Sequence, residues 1–136
     1  MTKIKSYTDL DQSKILVEIL SPESADLWWA ERFEGHVELN GDYIVKDTPY
    51  YYLSFARPSY NNYSQDTVKD IPCWSFAALF DVLPDGTDVT KDKSDTENEK
   101  YMCTVGVKND IISTFADNPV DACVEMILKL NELKML

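Results

Sequence analysis

The sequence predicts an α+β fold: a single small domain in which a mostly antiparallel sheet, built from hairpins, packs against about three helices. Asn40-Gly41 lies between two alternating apolar runs, which is a strong hairpin signal because both turn residues favour positive φ. Other apolar residues recur at helical spacing, and no strand–helix–strand unit requires parallel strands. The 136 residues are enough for one domain with its own core, so we assign residues 1–136 to it.

Two helices are predicted before residue 84. Thr8 is suited to an N-cap, so we expect a helix over residues 9–20. The apolar face of this helix should comprise Ile15, Leu16, Ile19 and Leu20, which recur at helical spacing. Pro72 favours the first turn of a helix, so the second helix should begin at residues 70–72. Its apolar stripe has the i, i+3, i+4, i+7 spacing of a helix that docks on a sheet, and it comprises Phe76, Leu79, Phe80 and Leu83.

A third helix is predicted near the end of the sequence. Asn118 is a favourable N-cap, Pro119 suits the first helical position, and Asp121 lies in the first turn, where the helix dipole favours an acid. We expect this helix to run to about residue 134. Its buried stripe comprises Val120, Cys123, Val124, Ile127 and Leu130.

The other apolar runs predict strands. Residues 27–29 and 50–55 favour single strands because they are rich in aromatic residues. Residues 36–45 form the hairpin around Asn40-Gly41. Residues 101–115 form a second hairpin, whose turn is Lys108-Asn109-Asp110.

Two polar segments are predicted to be mobile surface loops. Residues 57–69 are rich in turn-forming residues. Residues 85–99 carry six acidic residues against two lysines. Their spacing fits no EF-hand register, so we interpret this segment as a solvated charged loop and not as a calcium site.

The charge of the chain narrows the classes of partner. It has 24 Asp and Glu against 13 Lys and Arg, a formal net charge of −11. Such a field repels phosphate backbones and anionic membranes, so we expect a protein partner and no direct binding to nucleic acid or membrane. The first nine residues carry two lysines but no apolar stretch, so we expect no secretory signal and a cytoplasmic location.

The sequence offers little for catalysis. The three cysteines lie in apolar stretches and are odd in number, which favours buried, reduced thiols. His36 is the only histidine, and no zinc-type spacing, phosphate-binding glycine motif or nucleophile elbow occurs. We therefore predict no catalytic residue, no cofactor and no metal ligand.

Aromatic residues are the best candidates for contact with a partner. Neighbouring residues of a strand face opposite ways, so only one of two adjacent tryptophans can enter a one-sided core. Exposed aromatic residues are typical of interfaces, although a loop or helix over the second face would also cover them. The candidate partner-binding residues are Trp28, Trp29, Tyr50, Tyr52, Tyr60 and Tyr63.

Three segments together resemble a known family. They are residues 8–14 with 23–26, residues 71–84 with the motif IPCWS, and residues 117–126 with the sequence DNPVDACVEM. The chain resembles a family of small uncharacterised proteins from gut bacteria of the Bacteroides type and their phages or integrated mobile elements. That family has no assigned activity, so the resemblance implies an intracellular phage or prophage context and not a reaction.

These observations favour a non-enzymatic, acidic interaction or accessory protein of phage or mobile-element origin. In one version of this hypothesis, its carboxylates imitate the phosphates of nucleic acid and occupy a DNA-binding protein. A second hypothesis is a small-ligand-binding or enzymatic domain with a pocket lined by carboxylates and tyrosines. A third is a self-associating structural domain that forms a homodimer through an exposed sheet face.

Overall fold

The computed structural model describes residues 5–33, 36–39, 42–45, 49–55, 70–92 and 100–136, and it describes only the backbone of the strand residues at 31–33, 36–39, 42–45, 49–50, 92 and 100. It confirms the α+β fold. Three α-helices and eight strands form within this part of the chain, and every strand pairing there is antiparallel.

The helices are α1 (Leu10–Leu16), α2 (Phe76–Val82) and α3 (Pro119–Glu132), with a 3₁₀ turn at Pro22–Ser24. The strands are β1 (Leu27–Phe33), β2 (His36–Leu39), β3 (Asp42–Val45), β4 (Pro49–Ser54), β5 (Asp70–Cys73), β6 (Asp88–Asp92), β7 (Lys100–Val107) and β8 (Asp110–Ala116). The first sheet has the strand order β4-β1-β5, the second has the order β6-β7-β8, and β2 and β3 form a separate two-stranded ribbon.

The core is one cluster in which α3 packs against one face of the second sheet and also against buried residues of α1, α2 and Trp74. Every residue of the predicted α3 stripe is buried, and so are Ala122 and Met126. Cys103 and Val105 of β7 meet them from the sheet. The cap is also as predicted, because Asn118 Oδ1 accepts the Asp121 N–H at 2.8 Å and Pro119 opens the helix.

The first helix is shorter than predicted and begins one residue later. Asp9 is its N-cap, and Gln12 completes a capping box. Thr8 is not the cap because its hydroxyl is buried and accepts the N–H of Trp74 at 3.1 Å. The helix ends at Leu16, and Ile15, which we expected on the apolar face, is 50% exposed.

The second helix begins at Phe76, and the prediction that it begins at residues 70–72 is wrong. Those residues belong to β5, which pairs with β1. A proline such as Pro72 is tolerated there because β5 is an outer strand of its sheet. Ser75 is the actual N-cap, since its hydroxyl accepts the Ala78 N–H. Leu79 and Leu83 are buried as expected, whereas Phe80 is 41% exposed.

The charged segment at residues 85–99 is not a continuous loop. After a turn it forms β6, which pairs with β7 from Asp88 to Asp92. Charged residues are common on outer strands, where they discourage unwanted strand pairing, so charge alone was a poor guide to a loop. Residues 93–99 and the predicted loop at 57–69 lie outside the described residues.

The predicted strands and hairpins are otherwise confirmed. Residues 27–29 lie in β1, and residues 50–54 lie in β4. β2 and β3 pair from His36↔Val45 to Leu39↔Asp42, although the turn residues 40–41 lie outside the description. β7 and β8 form the second hairpin around the loop residues Lys108 and Asn109.

Candidate functional site

The structure separates the two tryptophans that we predicted to bind a partner. They are neighbours in β1 and therefore face opposite sides of the first sheet. Trp29 makes contacts within the fold. Its indole N–H donates to the Thr8 carbonyl at 3.2 Å, and its ring packs edge-on against the Tyr7 ring with 5.8 Å between the ring centroids. Trp28 is half-buried and shares its face with Tyr52, which is 40% exposed.

The structure describes the backbone of one of the other three predicted aromatic residues and leaves the other two outside the described ranges. Tyr50 lies in β4, and its backbone pairs with Arg32 of β1. Tyr60 and Tyr63 lie outside the described residues. Contact of a partner with this set of aromatic residues therefore stays a prediction.

Sequence reasoning missed a different exposed surface on the second sheet. The side of this sheet away from α3 carries Ile111, Ser113 and Phe115 of β8, whose neighbours on β7 are Gly106, Thr104 and Met102. We call these six residues the open face. Ile111 is 74% exposed and Phe115 is 49% exposed. Exposed apolar patches rimmed by polar residues are typical of protein contact sites.

Ile111 is so exposed because its cross-strand partner is a glycine. Gly106 has no side chain, and a Cβ built on it would meet no atom within 4 Å. In the middle of the open face, the hydroxyls of Thr104 and Ser113 lie 3.3 Å apart. The surface thus has apolar ends and a polar centre.

An acidic cleft adjoins the open face where β8 ends. It has a volume of about 360 Å³ and is lined by Gln12, Phe115, Ala116, Asp117, Asp121 and Glu125. Phe115 belongs to both the cleft and the open face, so the two form one continuous surface. Among the described residues, no group of three or more carboxylate, thiol or imidazole side chains is placed to hold a metal ion.

Lys5 joins the beginnings of α1 and α3, next to two residues that line the cleft, Gln12 and Asp121. Its ammonium lies 2.7 Å from Asp121 Oδ1, 2.8 Å from Gln12 Oε1 and 3.0 Å from Asp9 Oδ2. Asp121 also accepts hydrogen bonds from Gln12 Nε2 at 2.7 Å and Asn118 Nδ2 at 2.8 Å. Asp121 is thus held by three side chains.

These contacts shift the pKa of both ions. Partial burial by itself would raise the pKa of Asp121, but the hydrogen bonds from Lys5, Gln12 and Asn118 outweigh it and lower the pKa. Burial by itself would lower the pKa of Lys5, and the hydrogen bonds to Asp121 and Asp9 raise it instead. Both shifts favour the charged pair in the folded chain.

We predict that Asp121→Asn lowers the free energy of unfolding by about 1–2 kcal/mol at neutral pH, a modest value because a third of the side chain faces water. The folded pKa of Asp121 is lowered, so its contribution is present above the unfolded pKa of about 3.9 and disappears as the pH falls through the folded pKa. The difference between wild type and variant in urea unfolding should therefore shrink below about pH 4.

Glu125→Gln is the matched control for this prediction. It removes one charge from the same cleft and the same helix, at an exposed side chain. Its effect should stay within about 0.5 kcal/mol. An equal loss for both variants would mean that general charge, and not the Lys5 contact, stabilises the fold.

The cysteines are buried free thiols, as predicted. Burial raises the pKa of the Cys73 thiol, which contacts the Thr8 carbonyl at 3.3 Å. The hydrogen bond to Cys103 is the main cause that raises the pKa of Cys123, and burial raises it further. Cys73 and Cys123 are therefore protonated near neutral pH and inaccessible, which suits packing and not nucleophilic chemistry.

No family model matches the chain, and no curated protein or solved structure matches it either. Within the part of the chain that the structure describes, no helix is both long enough and apolar enough to span a bilayer. The open face and the acidic cleft are therefore the features of this chain that point to a function.

Proposed function

We propose that this chain is a non-enzymatic, acidic interaction protein that binds a basic protein partner through the open face and the adjoining acidic cleft. The observation that carries the proposal is the exposure of Ile111 and Phe115 on one strand face, with Phe115 beside the carboxylates of Asp117 and Glu125 in the cleft. Apolar anchors surrounded by a charged rim are the usual anatomy of a protein interface.

The charge of the chain supports a basic partner. A net charge of −11 attracts a cationic surface over a long range and accelerates its association at low salt. The cleft concentrates part of that charge next to Phe115, so a lysine or arginine of the partner would gain both a carboxylate and an aromatic ring.

The proposed setting is the cytoplasm of a gut bacterium of the Bacteroides type, with a phage or mobile element as the origin. The resemblance of residues 71–84 and 117–126 to that family supports this origin. The three free, buried cysteines suit a reducing compartment.

Two other hypotheses have less support. The first is a ligand-binding or enzymatic pocket lined by carboxylates and tyrosines. The lining of the acidic cleft includes carboxylates and Phe115 but no tyrosine, so it matches this hypothesis only in part. Self-association through the open face would bring two acidic clefts and two chains of charge −11 together. Imitation of nucleic acid remains a version of the main proposal, in which the basic partner is a DNA-binding protein.

We predict that the double variant Ile111→Ser/Phe115→Ser no longer captures a partner that the wild type captures from a lysate of such a bacterium. Loss of two central apolar anchors should weaken binding by at least about 2 kcal/mol, or thirtyfold. The wild-type complex should form at low salt and dissociate at high salt, because exposed charges are then screened. Duplex DNA added as a competitor should displace the chain if the partner is a DNA-binding protein, which is the version in which the chain imitates nucleic acid.

Ile15→Ser/Phe55→Ser is the matched control. Ile15 and Phe55 are 50% and 84% exposed, close to the exposure of Phe115 and Ile111, but they lie on α1 and immediately after β4. This variant should retain the partner. Loss of the partner in the control alone would place the interface beside the first sheet and favour the predicted residues Trp28 and Tyr52. The absence of a stoichiometric partner at either salt concentration would contradict the proposal.

A further inference from the structure

β8 is an outer strand of the second sheet. Among the described residues, β8 pairs with β7 alone. Its seven residues, DIISTFA, include neither proline nor lysine, the residues that commonly protect an outer strand from pairing. Within the described ranges, no other segment pairs with this edge, which is about 24 Å long.

The exposed side chains of β8 have the spacing that such a segment would need. Ile111, Ser113 and Phe115 alternate with the inward residues Ile112 and Thr114, so they stand about 7 Å apart on one side. A strand added beside β8 places its own alternate side chains on that same side. Its apolar residues would then pack against Ile111 and Phe115.

Charge selects which segment can pair there. β8 ends at Ala116, and Asp117 follows it into the acidic cleft, where Glu125 adds a further carboxylate that is not paired with Lys5 as Asp121 is. A basic segment gains from these groups, whereas a second copy of β8 would bring the same carboxylates and a further charge of −11. The charge complementarity therefore favours a basic partner over self-pairing.

We infer, on the basis of the proposed function, that the edge of β8 binds an extended basic segment of the partner by strand addition. Backbone hydrogen bonds to β8 provide affinity. The side chains of the segment that pack on Ile111 and Phe115, or enter the cleft, provide specificity. The segment alternates apolar and polar residues and carries a lysine or arginine where it passes the acidic cleft.

Amide hydrogen exchange measured by NMR on the full chain tests this inference. The probe is a short, capped peptide of alternating lysine and valine, and its control replaces each lysine with glutamate. With the lysine peptide at millimolar concentration, every second amide of β8 should exchange at least about tenfold more slowly, because one set of its N–H groups becomes hydrogen-bonded. The glutamate peptide should leave exchange unchanged, and high salt should reduce the protection.

Several outcomes would overturn the inference. Protection of the outer strands β4 or β6 instead of β8, or no protection by the lysine peptide, would contradict strand addition. Protection of β8 in the free protein that grows with protein concentration would show that a second copy occupies the edge. If the lysate partner is lost in Ile111→Ser/Phe115→Ser while β8 amides stay unprotected, the proposed function holds and strand addition fails.

Discussion

Trp74→Ala should lower the free energy of unfolding by about 3–5 kcal/mol, a large share of the stability of a domain of this size. Trp74 is fully buried, and its indole N–H donates to Ser24 Oγ at 2.9 Å. Replacement by alanine leaves a cavity in the core and removes this hydrogen bond, while Ser24 Oγ still donates to the Ser21 carbonyl at 2.6 Å. Urea unfolding followed by far-UV circular dichroism measures the loss without relying on tryptophan fluorescence.

Trp74→Phe separates the two contributions to this effect. It keeps most of the apolar volume but removes the indole N–H, so its loss should be about 1–2 kcal/mol. It also provides a measurable value if the alanine variant does not fold. Equal stability of Trp74→Ala and the wild type would place this residue outside the core.

Thr8→Val should cost about 2–4 kcal/mol although the two side chains have nearly the same shape. The Thr8 hydroxyl is buried, accepts the Trp74 N–H at 3.1 Å and lies 2.8 Å from Ser13 Oγ. Valine would leave the Trp74 N–H and the Ser13 hydroxyl without the Thr8 hydroxyl as a partner. The loss is again measured by urea unfolding.

Thr8→Ser is the matched control because it keeps the hydroxyl and removes one methyl group. It should cost only about 1 kcal/mol. A larger loss for Thr8→Ser than for Thr8→Val would show that packing of the methyl group, and not the hydrogen bonds, makes Thr8 important.

The parts of the fold that sequence reasoning predicted well are those with local causes. Asn118 caps α3 by accepting the N–H of a residue three positions later, so the residues that define the helix start are adjacent in the chain. The hairpin of β7 and β8 likewise depends on its own short loop.

The errors in the first half have a physical cause. Pro72 suits both a helix start and an outer strand, and only the pairing of β5 with β1 decides between them. Thr8 could cap a helix, but its hydroxyl is committed to Trp74, which is 66 positions away in the chain. Where a residue suits two local roles, its contacts with residues far away in the sequence decide which role it adopts.

The sequence by itself determined the fold class, the buried stripe of α3 and the net acidity on which the proposal of a basic partner rests. Only the tertiary structure decided which apolar side chains stay exposed and which charges meet. Ile111 and Phe115 are as apolar as any core residue, but they lie on the side of the second sheet away from α3. Lys5 meets Asp121 across 116 positions of sequence, because folding brings together the first turns of α1 and α3. Exposure and long-range pairing depend on what covers each surface, and no local pattern contains that information.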